Sequence, residues 1–187
     1  MGEYEQDNNF SNGKEPLKWT VLDVQGDKAL LIAHDLIDYI PYHERRTDIT
    51  WEDCTLRKWM NGDFYETAFS TQEQSRILTT HLTNHDNVTG TDGGNDTDDR
   101  IFALSVDEAN RYFASDAERV AYYTDYVESY HYVTEKAKGR EWWWLRSPGV
   151  SPHLAALVNV EGEIIEVKGD YVNDYDITVR PAMWISI

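Results

Sequence analysis

The sequence predicts an α+β fold, and three observations carry the prediction. Apolar, β-branched-rich runs separated by turn residues open the chain, similar runs close it, and capping-box signatures cluster in the middle. The first and last strands are expected to meet in one small, twisted, mostly antiparallel sheet.

Trp19 to Val24 and Lys28 to Ala33 read as a hairpin about Gln25-Gly26-Asp27. Thr50-Trp51-Glu52-Asp53 resembles a capping box before Leu56, Trp59 and Met60, which share one helical face, and Asn61-Gly62 supplies a stop. Ser70 with Glu73 and Ser105 with Glu108 repeat the spacing, predicting helices that carry Ile77 and Leu78, then Ala109, Tyr112 and Phe113. Thr83 to Arg100 is so rich in Asn, Asp, Gly and Thr that a long surface loop is expected, leading into a strand from Ile101 to Leu104. Strands follow at Trp142 to Arg146, Ala155 to Asn159, Ile164 to Val167 and Thr178 to Ile185, with turns at Glu161-Gly162 and Lys168-Gly169-Asp170. Neither a repeat nor a linker interrupts the pattern, so residues 1–187 are expected to form one domain.

A chain of 187 residues with 41% hydrophobic and 13% aromatic residues can bury a real core, roughly 70% of its unfolded surface at this size. Lys and Arg number 17 against 34 Asp and Glu, and a net charge of -17 repels phosphate, so nucleic acid and anionic membrane surfaces are expected to be poor partners. Cys54 is the single cysteine, which rules out an intrachain disulfide and a thiolate zinc cluster. No run is long enough for membrane insertion, and Met1 to Asn12 is polar and acidic where a signal peptide is basic then apolar. An exported form would carry its signal outside this sequence, as part of a longer cell-surface or secreted protein.

The six histidines, His34, His43, His81, His85, His131 and His153, show no metalloprotease pattern. His81 and His85 stand four apart, but Thr83-Asn84 between them argues for a turn. The loop from Asp86 to Asp99 offers hard oxygen donors, and Asp92, Asn95, Asp96 and Asp98 beside Gly93-Gly94 are the candidate calcium ligands; no other cofactor is indicated. Cys54 lacks a fixed base and reads as a small buried residue. No nucleophile elbow or phosphate-cradling glycine loop is present, so no catalytic residue is assigned. Trp142-Trp143-Trp144-Leu145 sends successive side chains to opposite faces of a sheet covered on both sides. Arg146 and Arg180 are expected to tie turns through their rigid donor forks.

The motifs Trp142-Trp143-Trp144-Leu145-Arg146-Ser147-Pro148-Gly149 and Val179-Arg180-Pro181-Ala182-Met183-Trp184, with Leu56-Arg57-Lys58-Trp59 and Phe102-Ala103-Leu104-Ser105, resemble a family of uncharacterised bacterial domains common in gut-dwelling species. The endings also resemble C-type lectin-like folds, including formylglycine-generating enzymes and the variable proteins of diversity-generating retroelements. The lectin sugar-calcium tripeptides and the catalytic cysteine pair are missing, so neither activity transfers. What the resemblance implies is a noncatalytic recognition module that presents Val150 to Asp176 to a protein or glycan ligand. His153, Asn159, Glu161, Glu163, Glu166, Lys168, Tyr171, Asn173, Asp174 and Tyr175 are its candidate contact residues, joined by Val150, Ser151, Leu154 and Asp170. The alternatives are a carbohydrate-active enzyme or calcium-dependent glycan binder on the same scaffold, and a structural domain of a larger surface protein.

Overall fold

A computed structural model describes residues 1–129 and 139–187. Strands β1 (Glu3–Tyr4) and β2 (Glu15–Pro16) pair at the N-terminus, followed by the hairpin of β3 (Trp19–Gln25) and β4 (Lys28–Ala33). Gly26 turns this hairpin at a φ of 61°, a left-handed value that costs glycine least. The short strand β5 (Asp38–Tyr39) leads to helical turns: a 3₁₀ turn at Trp51–Asp53, α1 (Thr55–Trp59), a π turn at Met60–Phe64, α2 (Tyr65–Ala68) and α3 (Thr71–Gln74).

Next come β6 (Thr80–Leu82) paired with β7 (Thr97–Asp99), then α4 (Val106–Tyr112), α5 (Asp116–Arg119) and α6 (Asp125–Glu128). The chain closes with β8 (Trp143–Pro148), β9 (Leu154–Val158), β10 (Ile164–Tyr171), β11 (Thr178–Val179) and β12 (Ala182–Ser186). The expected α+β class is borne out, with short helices and several mostly antiparallel sheets. Strand β12 pairs with β4, which also pairs with β3, so the N- and C-terminal strands meet in one sheet as predicted. A second sheet runs β10, β9, β8, β11, β5, with β8 and β11 parallel.

The tryptophan strand β8 is the centre of the core. Trp143, Trp144 and Leu145 are fully buried, and their indoles anchor opposite faces: Trp143 Nε1 donates to the Arg119 carbonyl at 3.2 Å, and Trp144 Nε1 to the Ile40 carbonyl at 3.2 Å. Arg146 follows them into the interior at 3% exposure. Its guanidinium makes five hydrogen bonds, to Asn84 Oδ1, the Ala103 and Thr83 carbonyls, and both carboxylate oxygens of Glu108. Glu108 also closes the capping box of α4 with Ser105, so one side chain locks β8, the loop at 83–84, the segment at 103 and a helix start together.

Several local expectations give way to tertiary contacts. The Thr50 capping box does not form: Trp51 is drawn into the core, its Nε1 donates to Asp99 Oδ2 at 2.9 Å, and Cys54 Sγ caps α1 instead, accepting from the Arg57 N–H at 3.3 Å. Asn61-Gly62 does not stop the helix, because a π turn absorbs it and the Asn61 side chain ties Arg100, Ile101 and the Arg57 carbonyl. The boxes at Ser70 and Ser105 do form, but α3 ends at Gln74, and Ile77 bridges to Ile185 while the Leu78 N–H donates to the Trp184 carbonyl.

The 83–100 loop is not all surface. Asn87, Thr91, Thr97 and Asp99 are buried, and Asp99 receives Trp51, Thr97 and Arg57 together. Ile101 to Leu104 is buried but contributes a bridge from Phe102 to Ala182 in place of a strand. Lys168-Gly169-Asp170 lies within β10 at an irregularity, and Thr178 to Ile185 divides at Arg180-Pro181 into two strands that serve different sheets.

Replacing Arg146 with Met leaves Glu108 and two carbonyls without their donor, and breaking such a buried pair costs about 3–5 kcal/mol. The urea midpoint of Arg146→Met should fall accordingly at an unchanged m-value, with Arg146→Lys recovering part, since a point charge cannot reach every acceptor. A loss below about 1 kcal/mol would show that the guanidinium does not hold these elements.

Candidate functional site

A cleft of about 490 Å³ opens where the segment after β5 meets α1 and the loop after β10. Its apolar walls come from Ile40, Pro41, Trp59 and Tyr175, and its polar edge from Glu44, Thr55, Lys58 and Asp63. Gly62 completes the lining within the π turn, and a Cβ built there would meet nothing within 4 Å, so the lack of a side chain keeps the cleft open.

The segment from Tyr42 to Glu44 is pinned on three sides. The Tyr42 hydroxyl donates to the Arg146 carbonyl at 2.8 Å, and the Tyr42 carbonyl accepts the Leu56 N–H at 3.1 Å, which sets the start of α1. The His43 N–H donates to the Val172 carbonyl at 2.6 Å, joining the segment to the chain just after β10. Thr55 Oγ1 lies 3.0 Å from His43 Nδ1 and accepts the Glu44 N–H at 3.3 Å, which holds Glu44 at the rim. Trp59 is half-buried and stacks on Phe64 with centroids 5.0 Å apart, while Tyr175 is 55% exposed. One aromatic is therefore rigid and the other free to meet a ligand.

Burial first, and then the Lys58 charge, hold the His43 pKa below its ordinary 6.5. Cys54 beneath α1 is fully buried, and burial pushes its thiol up to about 12, so it is inert as a nucleophile.

The structure splits the expected C-terminal surface. Asn159, Glu161 and Glu163 lie at the β9–β10 turn, on the order of 20 Å along the strands from His153 and Tyr171. Asn159 is buried there as a turn cap: its Oδ1 accepts the Glu161 and Glu163 N–H groups, and its Nδ2 donates to Glu163 Oε2 at 2.8 Å. Glu166 and exposed Lys168 sit along β10, and the Glu166 carbonyl accepts from Asn87 Nδ2.

At the other end His153 stacks on Tyr171 with centroids 6.0 Å apart, Arg46 covers Tyr171 at 3.6 Å, and Asp48 approaches His153 at 3.6 Å. Asn173, Asp174 and Tyr175 follow directly, with Asp174 Oδ1 accepting the Asp176 N–H. Tyr175 alone of the expected residues lines the cleft, and Glu44, Lys58, Trp59, Gly62 and Asp63 were not anticipated. The available signal was Trp59 three residues before a glycine on a helix whose face reads as core.

The candidate calcium ligands are engaged by the protein. Asp92 Oδ1 accepts the Gly94 N–H, Asn95 Nδ2 donates to Glu52, Asp96 accepts the Asn84 N–H, and Asp98 meets His81 Nδ1 at 2.9 Å. Among the described residues the acidic group close enough to share an ion is Glu5, Asp7 and Glu15, and it does not include these four. His81 and His85 pair with separate carboxylates, Asp98 and Asp107, while His131 lies outside the described residues.

These features define the class: an α+β domain whose tryptophan strand supports a small aromatic cleft with a polar rim. The family model for the domain of unknown function DUF6273 matches residues 26–187, and the chain belongs to that family. The match brings no lectin-like resemblance with it, and no curated protein and no solved structure matches the chain.

A pH dependence follows from His43. Its folded pKa lies below the unfolded value near 6.5, so the unfolded chain takes the proton first. Its contribution is full above that value, falls as pH drops through the window between the two pKa values, and levels off below the folded one. In urea titrations across pH, His43→Gln should lose stability less steeply than wild type in that window; identical slopes would contradict the burial of His43 against α1.

Proposed function

We propose that the chain is a noncatalytic recognition module that binds a glycan in the cleft between Trp59 and Tyr175. The observation that carries the reading is the pairing of two aromatic side chains across about 490 Å³ with carboxylate, ammonium and hydroxyl groups at the edge. Aromatic faces suit the C–H faces of a sugar ring, and Glu44, Asp63, Lys58 and Thr55 suit its hydroxyls. The cleft's volume fits one or two sugar rings, whereas a specific protein interface needs on the order of 1,000 Å² of buried surface.

Within this proposal the fold is C-type lectin-like, and Val150 to Asp176 is the displayed segment, as in retroelement variable proteins. Its support is that terminal strands meet around short helices and that Tyr175 comes from that segment. A hydrolase reading finds less support. Glu44 and Asp63 line the cleft but are both exposed to water, where a general acid wants a desolvated site.

A glycan-array screen with the intact chain, followed by calorimetry on its best oligosaccharide, tests the reading. Tyr175→Ala, at an exposed position, and Gly62→Leu, which fills the cleft from a position with free space, should each weaken binding about tenfold or more. Both should leave thermal unfolding within a few degrees of wild type. Unchanged affinity in both variants would place the ligand elsewhere.

A further inference from the structure

The two arginines of the C-terminal motifs are both buried, yet their donors are used very differently. Arg146 spends five hydrogen bonds inside the protein. Arg180, 4% exposed, spends two, from Nε to the Ala33 carbonyl at 2.9 Å and from Nη1 to the Arg119 carbonyl at 3.1 Å. Among the described residues no carboxylate reaches ion-pair distance of Arg180 and no acceptor meets its Nη2, which keeps some contact with solvent, since no buried donor lacks a partner. The rings of Trp143 and Phe113, at 5.2 and 5.5 Å, attend to the cation's faces but not to its edge.

Burial lowers the Arg180 pKa to about 10, which Asp35 opposes from beyond ion-pair contact. A buried cation without a carboxylate partner is costly, and Nη2, the one nitrogen of the fork left unspent, can donate a charge-assisted hydrogen bond to a carboxylate oxygen.

That side chain forms part of the wall of a second cleft, of about 410 Å³, on the opposite face of β8 from the first. Val21 and Leu22 of β3, Tyr112, Phe113 and Val120 make its apolar sides, and Tyr122 stands at its mouth, 53% exposed. His34, Glu118 and the phenols of Tyr112 and Tyr122 are its other ionisable side chains, and Glu118 Oε2 accepts the Ala114 N–H. One cation among aromatic walls, in a protein of net charge -17, disfavours phosphates and other multivalent anions.

We propose that this second cleft is a binding site for a small aromatic carboxylate, whose ring lies among Leu22, Tyr112 and Phe113 and whose carboxylate accepts from the unspent Nη2 of Arg180. The site is separate from the glycan cleft and does not depend on it.

Phenylacetate and its neutral isostere phenylacetamide, titrated into the isotopically labelled chain, test the assignment by amide chemical-shift mapping. Phenylacetate should shift residues 20–22, 34 and 112–113, and phenylacetamide should bind at least about tenfold more weakly, as loss of a charged hydrogen bond implies. Val21→Asp, at a lining position that is 58% exposed, should weaken phenylacetate at low salt by a several-fold larger factor than phenylacetamide, because only the acid meets the added charge. This variant keeps the test open if Arg180→Lys fails to fold. Equal binding of acid and amide, shifts confined to other regions, or no binding of phenylacetate would overturn the proposal.

Discussion

The buried Arg146 guanidinium is the constraint from which much of the structure follows. Tryptophans before it on β8 fix that strand in the core, and its hydrogen bonds then reach chain segments at 83–84, 103 and 108 that have no strand pairing with β8. Its backbone carbonyl also accepts the Tyr42 hydroxyl, and Tyr42 in turn sets the first turn of α1 through the Leu56 N–H. A hydrogen-bond path therefore runs from the backbone of β8 to the start of the helix that carries Trp59 and lines the first cleft. A cation spent this completely stabilises because every donor is matched; a partial set would leave the cost of burial unmet.

Strand alternation gives the two faces of β8 separate duties. Trp144 points toward Tyr42 and Ile40 beneath the first cleft, and Trp143 toward Arg119 and Arg180 beneath the second. Neighbouring residues in the sequence therefore underlie two different clefts, and substitutions in either tryptophan report on different faces of the molecule.

What was legible in the sequence is what local chemistry decides. The β3–β4 hairpin, the capping boxes at Ser70 and Ser105, and the β9–β10 turn at Glu161-Gly162 depend on residues a few positions apart, and all formed. The Thr50 box failed because Trp51 gained more by entering the core and pairing with Asp99, a partner 48 positions away. The last predicted strand divided because Pro181 has no N–H for a ladder and Arg180 turns inward. In the Asp86 to Asp99 segment Asp86, Asp92, Asp96 and Asp98 do face solvent, and Asp99 is buried because its partners, Arg57 and Trp51, come from the distant helical region. Of the candidate contact residues, Tyr175 reached the cleft; the others were placed by a sequence segment that the hairpin folds into two ends.

The central claim is that recognition occurs between Trp59 and Tyr175, and the most direct measurement is a crystal structure of the chain soaked with its best array oligosaccharide. The account predicts a sugar ring seated against the Trp59 indole and covered by Tyr175, with hydroxyls toward Glu44 and Asp63. A sugar bound instead at the turn of Asn159, Glu161 and Glu163, or an empty cleft beside a saturating ligand, would contradict it.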